Sequence, residues 1–203
     1  RAATCSQGCP TMTKLFLIRH GPTHAKTMVG WSNLPADLSD KAALQRLSDF
    51  LPKDGIVVSS DLLRASATAD AILGNRIRLA DDHALREIHF GDWELQSFRD
   101  IEAHDPDRIR AYWDTPGDVH PPNGESWNDI TARVDPAIDH LIATNSGKNI
   151  VVVAHFGVIL TQVQRAKRMT NYETFSHRID NLSVTSINIS RTPWALEQIN
   201  HIP

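Results

Sequence analysis

Two short apolar runs, Lys14-Leu-Phe-Leu-Ile18 and Ile150-Val-Val-Val-Ala154, constrain what this chain can fold into more than any other feature. Neither alternates apolar with polar residues, so neither suits a sheet with one wet face. Both read as strands buried on two sides, the condition of a parallel sheet covered by helices. Both are far too short to cross a bilayer. The first is stopped by Arg19-His20-Gly21-Pro22 and the second by His155-Phe156-Gly157, so each strand delivers a histidine, soon followed by glycine, to its carboxyl end.

The intervening sequence follows strand–helix–strand grammar. After a loop through Gly30, Asn33 and Pro35, Ser39 is placed to cap a helix whose Leu44, Leu47, Phe50 and Leu51 share one face, with Pro52 ending it. Ile56-Val57-Val58 is a second β-branched strand. Ser59-Ser60-Asp61 then offers a cap for a helix from Leu62 to Leu73, putting Arg64 in its first turn, where free N–H groups and the dipole favour an anion. Ile77 to Ala80 suits another strand. The stretch from Asp81 to Gly124 mixes aromatics with charges and reads as a partly helical insertion over the active face, with a lid at about 88–124. Beyond Ser126 a helical stripe runs through Ile130, Val134, Ile138, Leu141 and Ile142, which Pro136 should kink or restart. A further helix is expected over Val158 to Arg165, and Ser183 to Ser190 with Ala195 to Asn200 reads as a terminal hairpin. The expected fold class is α/β, a three-layer αβα sandwich with a mostly parallel central sheet.

With 203 residues, 41% of them hydrophobic and 22% charged, the chain suits one domain with a real core. A formal net charge of −3 gives no global basic field, which argues against nucleic acid or an anionic membrane as partner. Residues 1–11 lack the apolar stretch of a secretory signal and read as a tag or upstream leader, with Met12 as the natural start and 12–203 as the domain. Cys5 and Cys9 both fall in that leader, so the domain holds no disulfide, which fits a cytoplasmic setting. A CxxxC pair without further ligands at metal spacing does not suggest zinc, and neither a metal nor another cofactor is expected.

In an open α/β sheet, ligands bind beyond the carboxyl ends of the strands. This brings Arg19, His20, Arg64 and His155 to one edge. Two arginines and two histidines without a carboxylate cage repel one another unless an anion of more than one charge sits between them, and a phosphate monoester fits. A single histidine here would read as a turn residue bonded to backbone. The matched context of the two makes the case for catalysis.

Five ordered segments then resemble the histidine phosphatase, or phosphoglycerate-mutase-like, superfamily. They are Leu17-Ile-Arg-His-Gly-Pro-Thr23, Ser59-Ser-Asp-Leu-Leu-Arg-Ala65, Leu85-Arg-Glu-Ile-His-Phe-Gly-Asp-Trp-Glu94, Gly124-Glu-Ser126 and Val153-Ala-His-Phe-Gly157. The resemblance implies a phosphoglycerate-mutase-like fold and a phosphoric monoester hydrolase of the histidine acid phosphatase type. In it His20 is the nucleophile, Arg19, Arg64 and His155 hold the phosphoryl oxygens, and no metal is required. Glu87 is the chosen proton donor and then base, with Asp92 and Glu94 as neighbouring carboxylates. Thr23, Lys26, Phe156 and Gly157 are candidate substrate contacts.

The sequence departs from the common pattern at Pro22, where glutamate is usual, at Lys26, and at Phe156 and Leu95, each in place of a common glycine. Trp93, Trp113 and Trp127 are candidates for the leaving-group pocket, with core packing as the alternative. The expected substrate is a small phosphorylated metabolite. The short format and Gly-Asp-Trp-Glu segment resemble α-ribazole-phosphate phosphatases. A phosphoglycerate-type mutase and a non-catalytic phosphate-binding regulatory module remain as rivals, and a homodimer through an edge strand is one arrangement the sequence allows.

Overall fold

The computed structural model describes residues 12–203. The proposed leader, with Cys5 and Cys9, lies outside the described residues. Six strands form one sheet in the order β3-β2-β4-β1-β5-β6: β1 (Lys14–Arg19), β2 (Ile56–Ser59), β3 (Ile77–Arg78), β4 (Ile150–Ala154), β5 (Val184–Asn188) and β6 (Ala195–His201). The first four are parallel. The terminal hairpin adds β5 antiparallel to β1 and β6 antiparallel to β5.

The continuous apolar runs have the physical cause expected of them, since successive side chains enter opposite layers. Leu15, Leu17, Val58, Val152 and Ala154 face one buried cluster, shared with α5 (Trp127–Thr144) and α6 (Phe156–Lys167). Phe16, Ile18, Val57, Val151 and Val153 face a second, shared with α1 (Lys41–Phe50) and α2 (Leu63–Ala71). A sheet with helices on both faces is the expected three-layer α/β sandwich.

Several local expectations are corrected. Asp40, not Ser39, caps α1, its carboxylate accepting from the Ala43 N–H at 3.0 Å, and Phe50 lies exposed beyond the buried stripe of Leu44 and Leu47. The start of α2 takes its acceptors from the Ser60 hydroxyl and from Asn33, while Asp61 pairs with Arg86 instead. Pro136 neither restarts nor ends α5, which runs through 18 residues behind a Ser126/Asp129 capping box. Burial of Ile130, Val134, Ile138 and Leu141 on the sheet, each about 1.5–3 kcal/mol, outweighs the roughly 3 kcal/mol an interior proline costs. The 88–124 segment contains α3 (Phe98–Glu102) and α4 (Pro106–Asp114). It packs onto the domain, since Trp93, Ile101, Ile109 and Tyr112 belong to the same cluster as α5 and α6. The remaining helix, α7 (Asn171–Thr174), leads toward β5.

Candidate active site

Strand register sets the two histidines side by side. Arg19 lies opposite Ala154, the His20 N–H donates to the Ala154 carbonyl at 3.1 Å, and the rings of His20 and His155 are 5.1 Å apart. The Nδ1 of His20 sits 2.7 Å from the Gly21 carbonyl oxygen. That oxygen can only accept, so Nδ1 carries the proton and Nε2 the lone pair. Arg64 Nε donates to that lone pair at 3.2 Å. Burial first, and then the charges of Arg64 and Arg19, hold the His20 pKa down to about 3 against the opposing Gly21 bond. His20 is therefore neutral near pH 7, with Nε2 aimed at a guanidinium.

Arg64, in the first turn of α2 and 1% exposed, is oriented by three bonds: to His20, to the Ser32 carbonyl at 2.9 Å and to the Gly30 carbonyl at 2.6 Å. Arg19 donates to the Ile179 carbonyl at 2.6 Å and lies 5.7 Å over the Phe156 ring, leaving its buried Nε without a partner. Both ring nitrogens of His155 are likewise buried and unpartnered. Burial lowers the pKa of both arginines and of His155. Among the described residues, no ion pair includes Arg19 or Arg64. Buried donors without acceptors, and buried cations without a paired anion, are each costly. Gathered here, they suit an anion with several oxygens.

The candidate acid, Glu87, comes from the irregular segment after β3. The Glu87 carboxylate, buried, accepts from the Ile88 N–H at 2.9 Å and from the Gly157 N–H, 3.0 Å from Oε1 and 3.2 Å from Oε2. Gly157 lies in the first turn of α6, so its N–H has no intrahelical acceptor and Glu87 supplies one. A Cβ at Gly157 would run into Glu87 Oε1, which is why glycine stands there. Burial raises the Glu87 pKa, opposed by these N–H groups and by Arg64 and Arg19. The proton is thus held more firmly than on a free carboxyl, and Oε2 is the less engaged oxygen.

The competing carboxylates are committed elsewhere. Asp92 accepts from Asn123 at the surface, and Glu94 binds the 30–32 loop. Glu87 does not pair with its neighbour Arg86, which pairs with Asp61 at 2.6 and 2.8 Å instead. Gly157 directs its N–H to Glu87 rather than outward as a substrate contact, and Phe156 contributes its ring under Arg19. Thr23 accepts only a long bond from the Ala25 N–H at 3.4 Å, and Lys26 is exposed; neither bonds to the cluster. Trp93 and Trp127 are core residues, as the alternative reading has it, while Trp113 is partly buried against Tyr112 and Phe175.

Sequence reasoning missed the residues that hold the site. Asn181 donates to the His20 carbonyl at 2.8 Å, and Thr68 links the Gly21 N–H to the Arg64 carbonyl. Trp31 Nε1 and Arg133 both donate to the Glu87 carbonyl, at 2.8 and 3.1 Å, while Glu125 pairs with Arg133. Thr68, one turn beyond Arg64 on α2, was the one signalled by spacing.

The sequence pattern of the histidine phosphatase superfamily (branch 1) matches residues 15–202. The chain belongs to that superfamily. It is 30% identical over 196 residues to adenosylcobalamin/alpha-ribazole phosphatase of Salmonella typhimurium, covering 92% of this chain and 96% of that protein. It is 35% identical over 162 residues to glucosyl-3-phosphoglycerate phosphatase of Mycolicibacterium vanbaalenii, covering 72% and 70%. The structure of Bacillus stearothermophilus YhfR matches with a TM-score of 0.85 at 27% identity, over 94% of this chain and 98% of that one. Within the superfamily the chain falls in the phosphatase branch, among hydrolases of small phosphoesters and close to alpha-ribazole phosphatase homologues.

Proposed function

We propose that this protein hydrolyses a small phosphomonoester through a phosphohistidine on His20. The observation that carries the reading is the His20 Nε2 lone pair, fixed by the Nδ1 bond to Gly21 and faced by Arg64, beside unpartnered donors of Arg19 and His155. Arg19, Arg64 and His155 hold the phosphoryl oxygens and stabilise charge as it moves, which is most of what phosphoryl transfer requires. Nε2 forms a bond to phosphorus as the ester P–O bond breaks, and the departing alkoxide takes its proton from Glu87. A water then gives a proton to the Glu87 carboxylate and attacks phosphorus, breaking the P–N bond and returning neutral His20. The fixed cations supply the positive charge for both steps, so no metal is needed.

The substrate is a small phosphorylated metabolite, and the leaving group is its alcohol. The relation to the Salmonella protein supports testing α-ribazole phosphate, and the Mycolicibacterium relative is named for a glucosylated phosphoglycerate. Phosphate release from a panel containing both and 3-phosphoglycerate, with EDTA present and His20→Ala as control, tests the reading. Release that resists EDTA and requires His20 supports it. Release that EDTA abolishes contradicts the metal-free step, and isomerised 3-phosphoglycerate without free phosphate would make the protein a mutase.

A further inference from the structure

Arg64 is a buried cation with no carboxylate in ion-pair contact, yet it is held in one orientation by the carbonyls of Gly30 and Ser32. Those carbonyls belong to a loop in which the N–H groups of Gly30, Trp31 and Ser32 face one side chain. Glu94 accepts from the Trp31 N–H at 2.7 Å, the Gly30 N–H at 3.0 Å, the Ser32 hydroxyl at 2.8 Å, and more weakly from the N–H groups of Ser32 and Phe90. The peptide between Gly30 and Trp31 is therefore bonded at both ends: its N–H to Glu94 and its oxygen, at 2.6 Å, from Arg64. A trans peptide points its N–H and C=O in opposite directions, so this one unit lies between carboxylate and guanidinium with its dipole aligned to both. A Cβ on Gly30 would strike Glu94 Oε1 and the Ile88 carbonyl, so the close approach demands glycine.

We propose that Glu94 is a positioning residue of the reaction: through the Gly30–Trp31 peptide it fixes the Arg64 guanidinium against His20, and so against the phosphoryl group. The proposal rests on the reading of Arg64 as a phosphoryl ligand. It explains how a cation needed for an incoming anion is kept in place without a carboxylate bonded to it, where one would compete with phosphate. The loop itself is anchored independently, by Leu95 N–H to the Met28 carbonyl at 2.8 Å and Met28 N–H to the Gln96 carbonyl at 3.0 Å. Weakening Glu94 thus loosens the aim of Arg64 without detaching the loop.

The test is a double-mutant cycle on the whole chain, reading inorganic phosphate affinity by titration calorimetry and kcat/KM for phosphate release. In Glu94→Gln the amide group would face the loop's donors, and both quantities should fall by about tenfold to 100-fold. In an Arg64→Ala background the same change should alter them less than about threefold, because there is no guanidinium left to position. An equal effect in both backgrounds, or none in either, overturns the role of Glu94. If Arg64→Ala alone leaves phosphate binding unchanged, the reading of the site falls and this proposal with it. Should Glu94→Gln fail to fold, Ser32→Ala removes one bond to the same carboxylate and is run through the same cycle, with a several-fold loss expected only when Arg64 is present.

Discussion

Two arginines are buried at opposite edges of the sheet, Arg64 beyond the carboxyl ends of the strands and Arg76 beyond the amino ends. Burial lowers the pKa of both. Burial of a cation therefore does not separate a functional arginine from a structural one; what its donors meet does. Arg76 donates to the carbonyls of Ser48, Leu51, Pro52, Ile72 and Leu73, closing the carboxyl ends of α1 and α2. Arg64 makes two carbonyl bonds that orient it, and directs its third to the lone pair of a neutral histidine. Around it lie the unpartnered nitrogens of Arg19 and His155, which have no counterpart at Arg76.

Substitution should divide the two edges sharply. Arg64→Ala is expected to lower kcat/KM by roughly 10³-fold, the scale of losing a charged donor to a transferring phosphoryl group, and to leave the melting temperature little changed. Next in size, Gly157→Ala should displace the Glu87 carboxyl and reduce kcat by on the order of 100-fold while phosphate still binds. At the other edge, Arg76→Ala should keep kcat/KM within about threefold of the parent, because nothing it bonds reaches the site. Its cost should appear as about 2–4 kcal/mol of stability from carbonyls left unbonded, read as a lower denaturant midpoint. An activity loss in Arg76→Ala as large as that in Arg64→Ala would erase the distinction.

Acid stability sharpens it further. His20 and His155 have folded-state pKa values depressed below the unfolded value of about 6.5, so the unfolded chain binds more protons as the pH falls. Their contribution is complete above about 6.5 and is lost toward the His20 value of about 3, a loss of several kcal/mol. Glu87, shifted upward, acts with the opposite sign, favouring the folded state at low pH and losing that advantage as the pH rises from the unfolded carboxyl pKa toward its own raised value. Urea midpoints measured across this range should fall less steeply in His20→Asn than in the parent. An unchanged slope would show that the histidine edge does not govern the acid limb.

The smallest effect concerns a position where the sequence departs from the family's common pattern. Leu95 sits at φ 61°, a backbone region that disfavours a branched side chain, and it is exposed. The glycine common in the family answers a backbone requirement there. Leu95→Gly should change stability by less than about 1 kcal/mol, relief of strain being offset by the freer unfolded chain, with activity unchanged.

What could be read from sequence followed the periodic elements. The buried strands announce themselves by continuous apolar runs, their ends by histidine and glycine, and Arg64 by its place in a first helical turn. The three layers and the cationic edge follow from those alone. Glu87 came from resemblance, because it lies in a stretch without repeat, and its anchors Trp31, Arg133 and Gly157 lie far from it in sequence. Caps failed where two adjacent residues could both serve, as with Ser39 and Asp40, or where the acceptor came from a distant loop, as Asn33 does for α2. The restart at Pro136 does not occur, because tertiary burial of its helix outweighs local propensity.

The central claim is that His20 carries the phosphoryl group. The direct measurement is rapid quenching during turnover with a phosphomonoester, followed by intact-mass and peptide analysis under conditions that preserve phosphoramidate bonds. The account predicts one phosphoryl group on the peptide containing His20, formed and lost at rates consistent with turnover, and absent from His20→Ala. Phosphate release that persists in His20→Ala, or a phosphoryl group found on another residue, would contradict it.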